Sequence, residues 1–112
     1  MRDLAKGDIP TLVLSVLAEG ACHGYAIARS IEQRSDGLLR LREGALYPAL
    51  RLLEQEGMIK SQWEVQPSGP ARRIYELTTE GHVALNQRVQ EWQSYVQMIN
   101  RLIGGGPNAE PA

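Results

Sequence analysis

A mainly α-helical domain carrying one small β-hairpin is the fold class this sequence predicts, and three observations predict it. Apolar residues recur at helical spacing through the first half of the chain. Two alternating runs flank the turn-rich segment Gln66-Pro-Ser-Gly-Pro70. A final run places Leu85, Val89, Trp92, Val96, Ile99 and Ile103 at spacings of four, three, four, three and four, a heptad seam.

Residues 1–8 are polar and read as a loose arm. Asp8 is placed to cap a helix whose first turn accepts Pro10. Ile9, Leu12, Val13, Val16 and Leu17 form its apolar stripe, which ends near Glu19-Gly20. A second helix is expected from His23 or Gly24 to Arg34, with Gly24, Ile27, Ala28 and Ile31 inward and His23 available as a cap. Ser35-Asp-Gly37 is a turn, and the short apolar Leu38-Leu-Arg-Leu41 is expected to form a small strand.

The organising segment is the helix expected from Gly44 to Glu56. Leu46, Ala49, Leu50 and Leu53 lie on one face, the stripe of a helix docked against a core. Gly44, Pro48, Arg51 and Gln55 lie opposite, flanked by Tyr47 and Ala45. That slim face, with one hydroxyl and one guanidinium, suits close approach to another polymer, although an ordinary amphipathic helix has the same pattern. Pro48 lacks a backbone donor and belongs near the first turn, and Gly57 suits a left-handed C-terminal cap.

In the hairpin, Ile59, Ser61, Trp63 and Val65 alternate with Lys60, Gln62 and Glu64. On the return, Arg73, Tyr75 and Leu77 alternate with Arg72, Ile74 and Glu76. Trp63 is expected to pack against the helices. Thr78 then caps a long helix whose seam cannot be hidden within so small a domain and is expected to pair with a second copy of itself. Gly104 to Ala112 has no core-forming residue and reads as a disordered tail.

This order, helix, helix, strand, helix, hairpin, helix, is that of a winged helix-turn-helix followed by a dimerisation helix. The expected division is an arm at 1–8, a DNA-binding winged helix at 9–78, a dimerisation helix at 79–103 and a tail at 104–112. In such a domain the third helix enters the major groove of double-stranded DNA and the wing meets the flanking backbone. The candidate DNA contacts are Gly44, Ala45, Tyr47, Pro48, Arg51, Arg72 and Arg73. Tyr47 either donates to a phosphate or packs beside the hairpin, and Arg51 either meets phosphate or guanine or is a solvated charge. Of Arg72 and Arg73, one is expected on phosphate and the other in a pair with Glu64 or Glu76. The candidate dimer contacts are Leu85, Val89, Trp92, Val96, Ile99 and Ile103. Trp92 fills the dimer core or stacks a flat aromatic ligand there.

Composition fits this reading without demanding it. The 112 residues suit one domain, and the net charge of −1 does not itself announce a polyanionic partner. Arg34, Arg40, Arg42, Arg51, Lys60, Arg72 and Arg73 nevertheless concentrate basic charge in the middle of the chain. The lone Cys22 excludes an internal disulfide and suits a reducing compartment. No apolar run approaches the ~20 residues of a membrane span, and the expected location is cytoplasmic. No nucleophile–base pair, phosphate-binding glycine loop or metal-ligand spacing is visible, so no enzyme, cofactor or metal is expected.

His23-Gly-Tyr25, Gly44-Ala-Leu-Tyr-Pro-x-Leu50, Leu53-Glu-x-Glu-Gly-Met-Ile59 and Arg72-Arg-Ile-Tyr-Glu-Leu-Thr78 followed by Gly81 together resemble the PadR-type transcriptional regulators. The resemblance spans roughly residues 9 to 85, and the single C-terminal helix is similar to the compact branch of that family. It implies a homodimeric DNA-binding regulator, most often a repressor of detoxification, transport or stress genes, in some members responsive to a small aromatic or drug-like effector. The chain departs from the family at Ala45, where Ser or Thr is usual, and at Leu52, where Arg is usual. Those departures leave a second reading open, a winged-helix dimer acting as a protein–protein interaction module without DNA binding.

Overall fold

The computed structural model describes residues 8–104. The arm and tail, apart from Asp8 and Gly104, and the capping side chain expected of Asp8 lie outside what it describes. The elements in order are α1 (Asp8–Leu17), β1 (Cys22–His23), α2 (Gly24–Arg34), α3 (Glu43–Gln55), β2 (Ile59–Glu64), β3 (Arg72–Leu77) and α4 (Thr79–Leu102). The fold is the expected one, mainly helical with a small antiparallel sheet.

The sheet has three strands in the order β1-β3-β2. Its hairpin is in the register that the alternation implies, with Ile59 opposite Leu77, Ser61 opposite Tyr75 and Trp63 opposite Arg73. The third strand corrects the sequence reading. Leu38–Leu41 is not a strand; Cys22–His23 pairs with Tyr75 and Ile74 instead. Local bonding explains this. Ser35 Oγ accepts from Leu39 N at 3.0 Å, which satisfies the backbone within the loop, while Leu41 anchors the segment by inserting into the core.

The core gathers Val13, Leu14, Val16 and Leu17 of α1, Ile27 and Ile31 of α2, Leu46, Leu50 and Leu53 of α3, and Ile59, Tyr75 and Leu77 of the sheet. Leu85 of α4 joins them, 8% exposed. It is therefore a core residue of its own chain rather than the first residue of an intermolecular seam. Full burial of a Leu or Ile is worth roughly 1.5–3 kcal/mol. The α3 stripe thus fixes which face of that helix is left outside.

Two helix starts are capped as the residue types suggest. His23 Nδ1 accepts from Ala26 N at 3.4 Å at the start of α2. At the start of α4, Thr78 Oγ1 accepts from Gly81 N at 3.0 Å and donates to Gly57 O at 2.6 Å. Gly57 ends α3 with φ 77°, the left-handed conformation expected there. Pro48 is the sixth residue of α3 (Glu43–Gln55), just past the first turn. It leaves the Gly44 carbonyl without its intrahelical donor.

Gly81 allows α4 to close on the end of α3. A Cβ there would lie 2.0 Å from Met58 O, a backbone atom with no room to retreat, whereas a Cβ at Gly44 meets nothing within 4 Å. Gly81→Ala is expected to lower unfolding free energy by about 2–3 kcal/mol. Gly44→Ala should change it by less than about 1 kcal/mol. Urea unfolding of the two variants at equal protein concentration checks the difference.

Candidate nucleic-acid interface

Burial of Leu46, Leu50 and Leu53 turns Gly44, Tyr47, Pro48, Arg51, Leu52 and Gln55 outward on α3. Ala45, expected on a flank of that face, is half-buried against the core and lies on the edge of the outward surface. Tyr47 is 40% exposed. Its ring packs on Gly24, where an added Cβ would lie 2.9 Å from the Tyr47 hydroxyl oxygen. The glycine of His23-Gly-Tyr25 thus makes room for the tyrosine of α3. Leu52, half exposed, puts an apolar side chain on the same face.

The neighbouring arginines of the wing have separate environments because strand residues alternate. Arg73 shares the face of Ser61 and Tyr75, which turns toward α3. Its Nε donates to Ser61 Oγ at 2.8 Å, and its Nη2 meets both carboxylate oxygens of Glu54 at 3.2 and 3.3 Å. Ser61 in turn donates to Glu54 at 2.6 Å. The Arg73 guanidinium carbon lies 5.9 Å from the ring centroids of both Trp63 and Tyr75. The expected pairing with Glu64 or Glu76 is corrected: both sit on the other face, where Lys60 meets Glu76 at 3.4 Å. Arg73 is thus tied to α3 through Nε and Nη2, with its side chain 44% exposed.

Arg72 is on the opposite face, and its Nη1 lies 3.2 Å from His23 Nε2. Among the described residues it has no carboxylate partner. His23, Tyr25, Tyr47, Trp63 and the two arginines border a cleft of about 500 Å³ between β1, α3 and the wing. Trp63 is 67% exposed there rather than packed on the helices, since the wing extends past α3 at that point. Burial pushes the Tyr75 phenol up from its ordinary value, opposed by the Arg73 charge, so Tyr75 stays protonated at neutral pH. Burial also raises the Cys22 thiol.

Beyond Leu85, α4 runs along α1, where Arg88 Nη1 donates to Thr11 Oγ1 at 3.3 Å. Val89, Trp92, Val96 and Ile103 are exposed and Ile99 is half-buried. A groove of about 1050 Å³ runs between α1 and α4, bordered by Leu12, Met58, Val89, Trp92 and Tyr95. Tyr95 lies 5.8 Å from Trp92, centroid to centroid, and widens the aromatic surface. Heptad spacing passes over it because it is one residue off the seam. Among the described residues no group of His, Cys, Asp or Glu could hold a metal ion, and no helix is long and apolar enough to cross a membrane.

Glu54 and Ser61 are site residues that sequence reasoning left unassigned, and it gave His23 only the cap of α2. The signal for the first two was present: the hairpin face carrying Ile59 and Leu77 must meet the core, so Ser61 and Arg73 on that face must approach α3.

Residues 13–87 match the Transcriptional regulator PadR-like family. A transcriptional regulator from Clostridium thermocellum is 34% identical, with 86% of this chain and 90% of that one covered and a TM-score of 0.79. A PadR family transcription regulator from hypervirulent Clostridium difficile is 36% identical over 86% and 98% of the two chains, with a TM-score of 0.75. Transcriptional regulator Rv3488 of Mycobacterium tuberculosis is 27% identical over 105 residues, 94% of this chain and 92% of that protein.

Arg73→Ala and Glu54→Gln are each expected to lower stability by about 1 kcal/mol, and the double variant by less than their sum. Chemical unfolding of the four proteins measures the coupling; additive losses would mean that the two side chains do not hold each other in solution.

Proposed function

The chain belongs to the PadR-like family of transcriptional regulators, DNA-binding proteins rather than enzymes, and from that premise we propose that it is a homodimeric repressor of a pseudo-palindromic operator. The helix α3 enters the major groove with Gly44, Tyr47, Pro48 and Arg51 toward the DNA. The wing at 66–73 reaches the flanking backbone through Arg72. Arg73 contributes indirectly, by holding the wing against α3.

The observation that carries this reading is the polarity of the fold. One surface gathers the outward face of α3 and Arg72, which has no carboxylate partner among the described residues, while α4 carries its own run of exposed apolar side chains, Val89, Trp92, Tyr95, Val96, Met98 and Leu102. At 24 residues α4 is roughly 36 Å long, and among the described residues its outer part has little to pack on. A second copy covering Val89, Trp92, Val96, Ile99 and Ile103 answers that. The functional units are then the DNA-binding domain at 9–78 and the dimerisation helix at 79–103, with Leu85 excluded from the interface.

A planar aromatic or drug-like effector in the groove beside Trp92 and Tyr95 favours one angle between the paired α4 helices. Because each α4 is fixed to its own α3, that angle sets the separation of the two recognition helices. The ligand then releases DNA by its differential affinity for the two dimer geometries. The protein-interaction reading draws on exposed Leu52, which offers an apolar contact on the α3 face.

Binding of the full chain to its own promoter duplex, against an unrelated duplex at two salt concentrations, tests the function. Selective, salt-sensitive binding is expected. Arg51→Ala and Tyr47→Phe should weaken it, by about 1–3 kcal/mol for an arginine that reads guanine. Binding to neither duplex at either salt favours the protein-interaction module. In Trp63→Phe protein, quenching of Trp92 fluorescence by planar aromatics, with matching release of promoter DNA, is expected; quenching without release rejects the effector role.

A further inference from the structure

We propose that His23 Nε2 and the Arg72 guanidinium together grip one backbone phosphate of the DNA, at the junction of β1, α2 and the wing. The inference rests on the DNA-binding reading and adds to it a contact, His23, that its sequence position assigns only to capping.

Proton bookkeeping on the imidazole leads there. His23 Nδ1 accepts from Ala26 N at 3.4 Å, closing the first turn of α2. A neutral imidazole accepts at one nitrogen and carries its proton on the other, so the ring that caps α2 bears N–H at Nε2. Arg72 Nη1 lies 3.2 Å from that nitrogen, and a guanidinium has donors only. Arg72 can donate to that nitrogen only in the other tautomer, which gives up the cap of α2. In the capping tautomer both groups are donors, and an anionic oxygen between them serves both.

Among the described residues, the carboxylates nearest this pair have other partners. Glu64, directly across the ladder from Arg72, accepts from Gln66 Nε2 at 3.2 Å. Glu54 is held by Arg73 and Ser61. The cleft is bordered instead by Tyr25, which stacks on His23 at 6.4 Å between ring centroids, and by Tyr47 of α3. Its volume of about 500 Å³ admits a phosphate with its sugar. Tyr47 makes the cleft continuous with the outward face of α3, so a strand followed by that helix passes the His23–Arg72 pair. Direct phosphate contacts of this kind position a protein without reading sequence.

Titration of promoter and unrelated duplexes with the wild type, His23→Asn, Arg72→Ala and the double variant tests the grip. Asparagine retains the N-cap but stops short of the position of Nε2. Each single change is expected to weaken binding to both duplexes roughly tenfold, the worth of one hydrogen bond to a charged group. Arg72→Ala should also make the salt slope shallower by about one. In the Arg72→Ala background, His23→Asn should cost little more, and its unfolding midpoint should equal that of the wild type. Wild-type affinity in His23→Asn, or the same loss in both backgrounds, overturns the shared grip while leaving the DNA-binding reading intact. A wild type that binds neither duplex at any salt overturns both.

Discussion

The contact between the end of α3 and the start of α4 is the constraint on which the rest of this structure depends. Gly57 reverses the chain, Thr78 ties that turn to the first turn of α4, and Gly81 lets the helix close onto the Met58 carbonyl. Strand β2 begins one residue after Met58, and β3 ends one residue before Thr78. Recognition helix, wing and long helix therefore meet within a few residues. Little slack remains between the element proposed to face DNA and the element proposed to pair with a second copy. A change of angle along α4 reaches α3 as a displacement rather than being absorbed by a linker.

The same economy operates in the wing. Arg72 and Arg73 are adjacent, and the two-residue repeat of the strand sends them to opposite faces. Arg73 is drawn between Trp63 and Tyr75 onto Glu54 and Ser61, anchoring β3 to α3. Among the described residues Arg72 pairs with no carboxylate and lies beside His23. One guanidinium thus sets the position of the wing, and the other is turned to the opposite face. Sequence adjacency gives them one identity in a motif, but the fold gives them two tasks.

How much of this was legible in the sequence depends on the range of the interaction. The α3 face, the alternation of the hairpin strands and the Thr78 cap follow from local periodicity and residue chemistry, and they stand in the structure where the residues suggested. The two-residue strand at Cys22–His23 was hidden because so short a segment has no alternation of its own; it exists only because β3 offers a free edge. Leu38–Leu41 misled for the complementary reason, being apolar as a loop anchor rather than as a strand. Leu85 fits the heptad spacing of the seam, yet the first turns of α4 pack on the home domain, and spacing cannot locate where the helix leaves it. Pairing of Arg73 with Glu54 required knowing which hairpin face meets α3. The faces were readable; their orientation came with the tertiary packing.

A dimer held by α4 is proposed to present two copies of α3 to one side of a duplex. Hydroxyl-radical footprinting of the protein on its own promoter region tests this most directly. Two protected patches with the same spacing on both strands are expected, centred one helical turn or a whole multiple apart, about 34–36 Å per turn. A single uninterrupted patch, or two patches on opposite faces of the duplex, would contradict it.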